Sequence, residues 1–421
     1  MIYTKPDSVN SGNALVESER FIKSIPQYPG GFKGRGIVIC GGGVRYFTNA
    51  WVSINIIRDL GCALPVELWY LGPQEMDNRM KNLVAALGVV CIDGLEMKKE
   101  FPARKLGGWE LKCYAILHSK FEEVLLLDAD NVAAENPEYL FETKEYQETH
   151  AMFWPDPYFL APDRFIWKIC GVTYRHEPEF ESGQILVNKK TCWNALNLSM
   201  WYNEYSDFYY KHIYGDKETF HMGFRKTEQP YHMISKPRVT LAGVMFQHDP
   251  AGKIIFQHRA GAKWNYEGNN ITLRSFRHEK ECFEHLDRLK SLWNGKIRRD
   301  LVHKPDKIKR IIENLASHIF RYKRLGYDER LISFLTNGQV GFNRLLMEQW
   351  WDIYEENNTF FLEIYGERGM TCVLELCADN VWRGHWLDFE QQIPVELSAL
   401  TASTIHAMPV TLTPSLSVAT V

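Results

Sequence analysis

Asp128 and Asp130 follow directly on the apolar run Val124-Leu-Leu-Leu127, and this is the first place in the chain where chemistry is expected. Four consecutive apolar residues fit a strand buried on both faces. Residues i and i+2 of an extended chain project the same way, so the two carboxylates can face one hard cation. Oxygen donors of this kind suit Mn²⁺ or Mg²⁺, which are generally held by one or two carboxylates together with substrate phosphates. A lone Asp-x-Asp is as common on a solvated turn as at a metal. The buried strand leading into it favours the metal, and a second, distant element decides.

That element is His258-Arg-Ala-Gly-Ala-Lys263-Trp264, which follows the short apolar strand Ile254-Ile-Phe-Gln257. An imidazole can complete the coordination of a Mn²⁺ already held by carboxylates. Lys263 can neutralise a diphosphate, and Gly261 allows close backbone approach. A strand-end histidine standing alone is more often structural. Joined to Asp-x-Asp and to the following glycine and Lys-Trp pair, His258 reads as the third metal ligand.

Gly41-Gly42-Gly43 ends another apolar strand and opens a helix, where backbone amides can approach a nucleotide. Tyr46 takes the place of the last glycine of a Gly-x-Gly-x-x-Gly fingerprint, and no P-loop is present. Gly41, Gly42 and Tyr46 are therefore nucleotide contacts or parts of a plain tight turn. Phe153-Trp154-Pro155-Asp156 and Trp167 either wall a pocket for sugar rings or pack in the core.

The elements that must position these residues alternate. Strands are expected at 36–40, 65–71, 89–92, 124–127 and 181–187, with helices at 48–60, 74–87, 109–119 and 189–205. Such alternation predicts an α/β domain with a doubly wound parallel sheet, whose ligands bind beyond the carboxyl ends of the strands. Beyond about residue 305 the pattern changes. A basic amphipathic helix at 306–324 and a second helix at 342–356 precede a β-meander at 360–365, 371–376 and 381–387. This is a smaller α+β region, and its aromatics suit a packed core, an acceptor platform or a homo-oligomer contact.

The 421 residues are 45% hydrophobic and 24% charged with a net charge of −3, so nothing in the composition suggests a nucleic-acid or anionic-membrane footprint. No apolar run approaches the roughly 18 residues of a membrane span, and the first residues lack the apolar stretch of a signal peptide. The 9 scattered cysteines contain no Cys-x-x-Cys, so reduced thiols and a cytoplasmic location are expected.

With these motifs in view, the chain resembles the retaining nucleotide-sugar glycosyltransferases of the GT-A fold. The segment His258 to Trp264 is similar to the His-x-x-Gly-x-x-Lys-Pro-Trp motif of glycogenin-like enzymes, one residue shorter and without the proline. Longer stretches look closer to the fungal alpha-mannosyltransferases of glycosyltransferase family 71: Gly36 to Cys40, Phe121 to Asn131, Glu181 to Gln184 and Tyr214 to Phe220. The resemblance spans about residues 35–265. It implies that Asp128 and Asp130 bind Mn²⁺ (or Mg²⁺) and, through Asp128, the nucleotide; that His258 is the third ligand; and that Lys112 and Lys263 contact the donor. Glu181, Gln184 and Asp216 would lie near the transferred sugar or the acceptor. The implied donor is GDP-mannose, with UDP-glucose, UDP-galactose or UDP-N-acetylglucosamine as alternatives, and the acceptor a saccharide or other hydroxyl. Fungal members carry an N-terminal membrane anchor that this chain does not show, in keeping with the cytoplasmic expectation.

The expected organisation is a loosely packed lead-in at 1–35, a GT-A type domain at 36–300, an accessory domain at 301–399 and a flexible tail at 400–421. Two readings from other classes compete. One is a haloacid-dehalogenase-type phosphohydrolase, whose nucleophile motif is also a strand followed by Asp-x-Asp. The other is a catalytically silent carbohydrate-binding protein on the same fold.

Overall fold

The computed structural model describes residues 3–297, 304–366, 369–387 and 393–400. The chain divides into two compact units, Met1–Ile297 and Arg298–Val421, three residues before the expected boundary.

The strands of the first unit are β1 (Arg35–Cys40), β2 (Val66–Tyr70), β3 (Val89–Asp93), β4 (Glu123–Asp128), β5 (Asn131–Ala133), β6 (Ala151–Pro155), β7 (Phe180–Asn188), β8 (His232–Met233), β9 (Val239–Leu241), β10 (Val244–His248) and β11 (Ile254–His258). Seven of them form the main sheet in the order β3-β2-β1-β4-β7-β6-β8. Side chains alternate across it. Ile37, Ile39, Leu125 and Leu127 pack with Trp51 of the helix Gly43–Asp59 and Leu286 of the helix Glu279–Leu292. Val38, Val124 and Leu126 pack on the other face with Leu111, Leu196 and Phe220 from the helices Glu110–His118, Trp193–Glu204 and Asp216–Lys226. Burial on both faces is what makes these strands read as unbroken apolar runs.

The expected α/β layering is present, but the sheet is mixed: four of its six strand pairings are parallel, β6 with β8 among them, and β7 alone runs against the others. β2 pairs parallel with β1 and β3, and β1 pairs parallel with β4. β7 runs antiparallel to β4 and to β6. A strand buried on both faces carries the same apolar run whichever way its neighbour points, so the sequence pattern does not encode direction. A second sheet, β5-β11-β10-β9, is antiparallel throughout.

The described part of the expected lead-in, residues 3–35, contains a packed helix. The helix Ala14–Ser24 buries Ala14 and Ser18, and Val9 and Ala14 join a cluster with Trp201, Tyr205 and Tyr209. Tyr3 accepts a hydrogen bond from the Trp201 indole at 2.9 Å. Flanking Pro, Gly and Ser residues conceal this amphipathic turn in the composition.

In the second unit, the helix Asp306–Ser317 precedes β12 (Ile319–Arg324), β13 (Asp328–Ser333), β14 (Trp350–Glu356), β15 (Thr359–Gly366), β16 (Gly369–Leu376), β17 (Trp382–Trp386) and β18 (Ile393–Ala399). They make one sheet in the order β13-β12-β18-β17-β16-β15-β14. Two expected helices are corrected. The helix expected to reach residue 324 stops at Ser317, because Phe320, Tyr322 and Arg324 alternate inward with a period of two. The helix expected at 342–356 is absent, since Trp351 and Ile353 face the core as alternate residues of β14. The meander strands correspond to β15, β16 and β17, and residues 401–421 of the expected tail lie outside the described residues. All nine cysteines are free, and no helix among the described residues is long and apolar enough to cross a membrane.

Candidate active site

Asp128 keeps the parity of Val124 and Leu126 and so points to the face covered by the helix Glu110–His118. There the Lys112 ammonium lies 2.7 Å from its Oδ1. The chain then reverses after Asp130 into β5. Antiparallel pairing of β5 with β11 sets His258 opposite Asn131 and thereby beside the aspartates. His258 Nε2 is 3.4 Å from Asp130 Oδ2 and 3.7 Å from Asp128 Oδ2.

One donor atom from each of Asp128, Asp130 and His258 lies within 4.8 Å of the others, the single such trio among the described residues. Two carboxylate oxygens and one imidazole nitrogen converging in this way form a donor set that a small divalent cation would fit. The trio is the set expected from the sequence.

The other expected residues gather around it. Lys263 forms an ion pair with Asp130. Asp216 begins the helix Asp216–Lys226, its Oδ2 3.6 Å from the Lys112 ammonium. Glu181 Oε1 lies 3.9 Å from His258 Nδ1 and accepts the Gly183 amide at 2.9 Å. Gly183 itself has to be glycine, because a Cβ there would collide with the His258 ring. Gln184 stands apart. It is fully buried, and its Oε1 accepts a 2.7 Å hydrogen bond from Asn131, so this amide braces β5.

Charge in this cluster is set by burial and opposed neighbours. Burial pushes the Asp130 carboxyl up, but His258 and Lys263 outweigh it and hold it well below the usual carboxylate range. Burial pulls the His258 imidazole down, and Asp130, Asp128 and Glu181 more than reverse it. Burial raises the Asp216 and Glu181 carboxyls. Lys112 stays charged because Asp128 and Asp216 overcome its desolvation. Four carboxylates face two ammonium groups and one imidazole, a balance that accommodates a divalent cation.

The glycine turn meets the closing segment. Gly41 allows tight packing, since a Cβ there would lie 2.7 Å from Leu68 and 3.0 Å from Ala50. Gly42 precedes the helix Gly43–Asp59, with Gly43 at φ +75° and its amide on Glu75 O at 2.7 Å. Three residues on, the Tyr46 ring lies 5.9 Å from the Lys263 ammonium. A cleft of about 920 Å³ opens beside them, lined by Arg45, Lys263, Trp264, Asn265 and Asn270 among others.

Two buried residues that the motif reading passed over hold the closing segment. Asn49 accepts the Trp264 amide at 2.8 Å and donates to the Trp264 carbonyl at 2.9 Å. Arg259 lies 3.7 Å over the Trp264 ring and donates to Ala262 O at 2.6 Å and Ile271 O at 3.0 Å. Asn49 is one of four buried polar residues on its helix, with Thr48, Ser53 and Asn55, so its polarity did not single it out. The aromatic segment expected either as a sugar pocket or as core is core: Phe153, Trp154 and Trp167 are all buried.

The model of the family described as "Mannosyltransferase putative" matches residues 34–173 and 172–258. Alpha-1,2-mannosyltransferase MNN24 of Candida albicans is 29% identical over 247 residues, covering 48% of this chain and 34% of that protein. Alpha-1,2-mannosyltransferase MNN5 of Saccharomyces cerevisiae is 26% identical over 343 residues, covering 66% of this chain and 58% of that protein. The chain thus spans between a third and three-fifths of the length of these relatives. Among solved structures, the galactosyltransferase LgtC in complex with donor and acceptor sugar analogs is 17% identical with a TM-score of 0.34, over 47% of this chain and 72% of that one.

Proposed function

Because the chain belongs to this mannosyltransferase family, whose model spans residues 34–258, we propose that it is a metal-dependent, retaining alpha-mannosyltransferase that uses GDP-mannose and a saccharide acceptor. The observation that carries the reading is the convergence of Asp128, Asp130 and His258 on one cation-sized space with Lys263 on Asp130. A sugar nucleotide places a diphosphate at such a centre. The phosphohydrolase alternative loses support, since an imidazole and a lysine complete the aspartate pair where that chemistry calls for further carboxylates.

In the transfer, the bond from the sugar's anomeric carbon to the diphosphate oxygen breaks, and the acceptor oxygen bonds to that carbon on the same face. The acceptor's proton passes to the departing phosphate oxygen, so no separate protein base is required. Mn²⁺ held by Asp128, Asp130 and His258 would offset the charge gathering on the diphosphate. Lys263 adds a second positive charge there. Asp216 and Glu181, buried at the edge of the cluster, provide carboxylate faces for the sugar as positive charge develops on its ring. Gln184 supports them from behind through Asn131.

Calorimetric titration of GDP-mannose and a panel of UDP-sugars, with and without Mn²⁺, tests the reading. Micromolar, Mn²⁺-dependent binding of GDP-mannose that Asp130→Ala removes is the expected result. Binding confined to a UDP-hexose would replace the donor, and no sugar nucleotide bound by folded protein would overturn the transferase.

A further inference from the structure

Large aromatic side chains exposed by more than half are few in the first unit. Among its described residues they are Trp109 at 53%, Tyr158 at 68% and Tyr214 at 85%. Single exposed apolar residues are ordinary on a protein surface and need no function. These three are not scattered. Trp109 immediately precedes the helix that carries Lys112, three residues on. Tyr214 stands two residues before Asp216. Tyr158 stands two residues after Asp156, whose Oδ2 lies 3.1 Å from the ammonium of Lys217, the neighbour of Asp216. Each aromatic is thus tied by a few residues of chain to the ionic network around Lys112 and Asp216, whose own contact is 3.6 Å.

The placement of Trp109 is built. Gly215 adopts φ +108°, a conformation that side chains rarely permit, and a Cβ there would lie 2.9 Å from the Trp109 six-membered ring. The missing side chain lets the turn lie against the indole, and Tyr210 flanks it at 6.1 Å between ring centroids. The Tyr214 amide donates to Glu218 Oε2 at 3.2 Å, which fixes the turn that displays its ring. Asp156 Oδ1 accepts the Tyr158 amide at 3.3 Å.

We propose that Trp109 and Tyr214, with Tyr158 at the margin, form the platform on which the acceptor saccharide lies, beside the carboxylates that face the transferred sugar. A pyranose presents a flat apolar face of C–H groups and a hydroxyl rim. Exposed aromatic rings cover such a face without dehydrating the hydroxyls, and Tyr and Trp combine an apolar body with a polar tip suited to a wet interface. The cluster of carboxylates at Asp216, Glu181 and Asp156 supplies acceptors for the rim. This inference rests on the transferase reading and assigns the second substrate of the same site.

Saturation-transfer NMR with α-mannobiose as the probe tests the platform without turnover. Wild-type protein, Trp109→Ala, Tyr214→Ala and the conservative Trp109→Phe are compared, with Val90→Ser on the edge strand β3 as an exposed control. The expected result is saturation of the sugar's C–H protons and a dissociation constant raised roughly three- to tenfold by each alanine variant. Trp109→Phe restores most of the affinity, and Val90→Ser leaves it unchanged. Donor affinity, measured separately by calorimetry, distinguishes a platform from a structural role: it stays within twofold in Tyr214→Ala and Trp109→Phe. Mannobiose binding equal in all variants, or none in the wild type, overturns the platform. Donor binding by a protein that ignores mannobiose would leave the transferase reading intact and remove this one alone.

Discussion

His258 Nε2 stands 3.4 Å from Asp130 Oδ2, joined by a strand pairing that sets His258 opposite Asn131. Neither residue makes a site by itself. The β5–β11 ladder turns two motifs far apart in sequence into one donor set.

Asp130→Asn and His258→Ala are therefore each expected to weaken Mn²⁺ binding by at least about 100-fold, since supporting residues alone are worth 10- to 100-fold at metal sites. Electron paramagnetic resonance of free Mn²⁺ in a titration reads this directly. Affinity within threefold of wild type in either variant would exclude the trio as the metal site. Circular dichroism establishes that the variants are folded.

Gly183→Ala puts a methyl group into the His258 ring. Overpacking of this kind costs about 1–3 kcal/mol, and here the strain falls on a proposed metal ligand. Metal affinity should fall while the melting temperature drops by only a few degrees. An alanine variant with wild-type Mn²⁺ affinity would mean that the ring has room to move.

Much of this centre was legible because its residue types are rare in combination. The apolar run of β4 announced a buried strand, its end placed the two aspartates where ligands bind, and the His258 segment carried the partner charges. Gln184 was legible as a polar residue on the strand of Glu181, but the hydrogen bond of its Oε1 with Asn131 inside the fold was not. The reversed direction of β7 was hidden, since a strand buried on both faces carries the same apolar run whichever way it points. The helix expected at 342–356 failed for a related reason. Trp350 and Trp351 satisfy either period, and only the neighbouring strand β15 selects the extended form. Asn49 and Arg259 were illegible because their roles consist of hydrogen bonds to the closing segment's backbone, which no residue type announces.

Asn49→Ala removes both hydrogen bonds to the Trp264 backbone and leaves a buried amide and carbonyl unpaired. Each such group costs about 1–3 kcal/mol, so a loss of roughly 2–6 kcal/mol of stability is expected from denaturant unfolding. Lys263 is the residue before Trp264, so donor affinity should fall with it. A variant that loses stability but binds the donor as before would separate the clasp from the site.

Glu177 provides the pH dependence. Burial works against its charge, but hydrogen bonds from His221 at 2.9 Å, Arg225 at 2.7 Å and Tyr231 at 2.8 Å oppose that, as does the ion pair with Arg175 at 2.9 Å. Together they hold the carboxyl down to about 2, from an ordinary 4.5. A folded-state value below the unfolded one means that the unfolded chain binds the proton first as pH falls. The stability contributed by Glu177 is therefore complete above pH 4.5 and is lost as pH falls through 2. At about 1.4 kcal/mol per pH unit, the contribution is on the order of 3 kcal/mol. Urea unfolding of wild type and Glu177→Gln at intervals between pH 6 and 2 isolates it. The gap between the two proteins should be widest above pH 4.5 and close progressively below it. A gap that stays constant with pH would show that the carboxylate's charge contributes nothing and that the cluster is held by packing and the Tyr231 and His221 geometry alone.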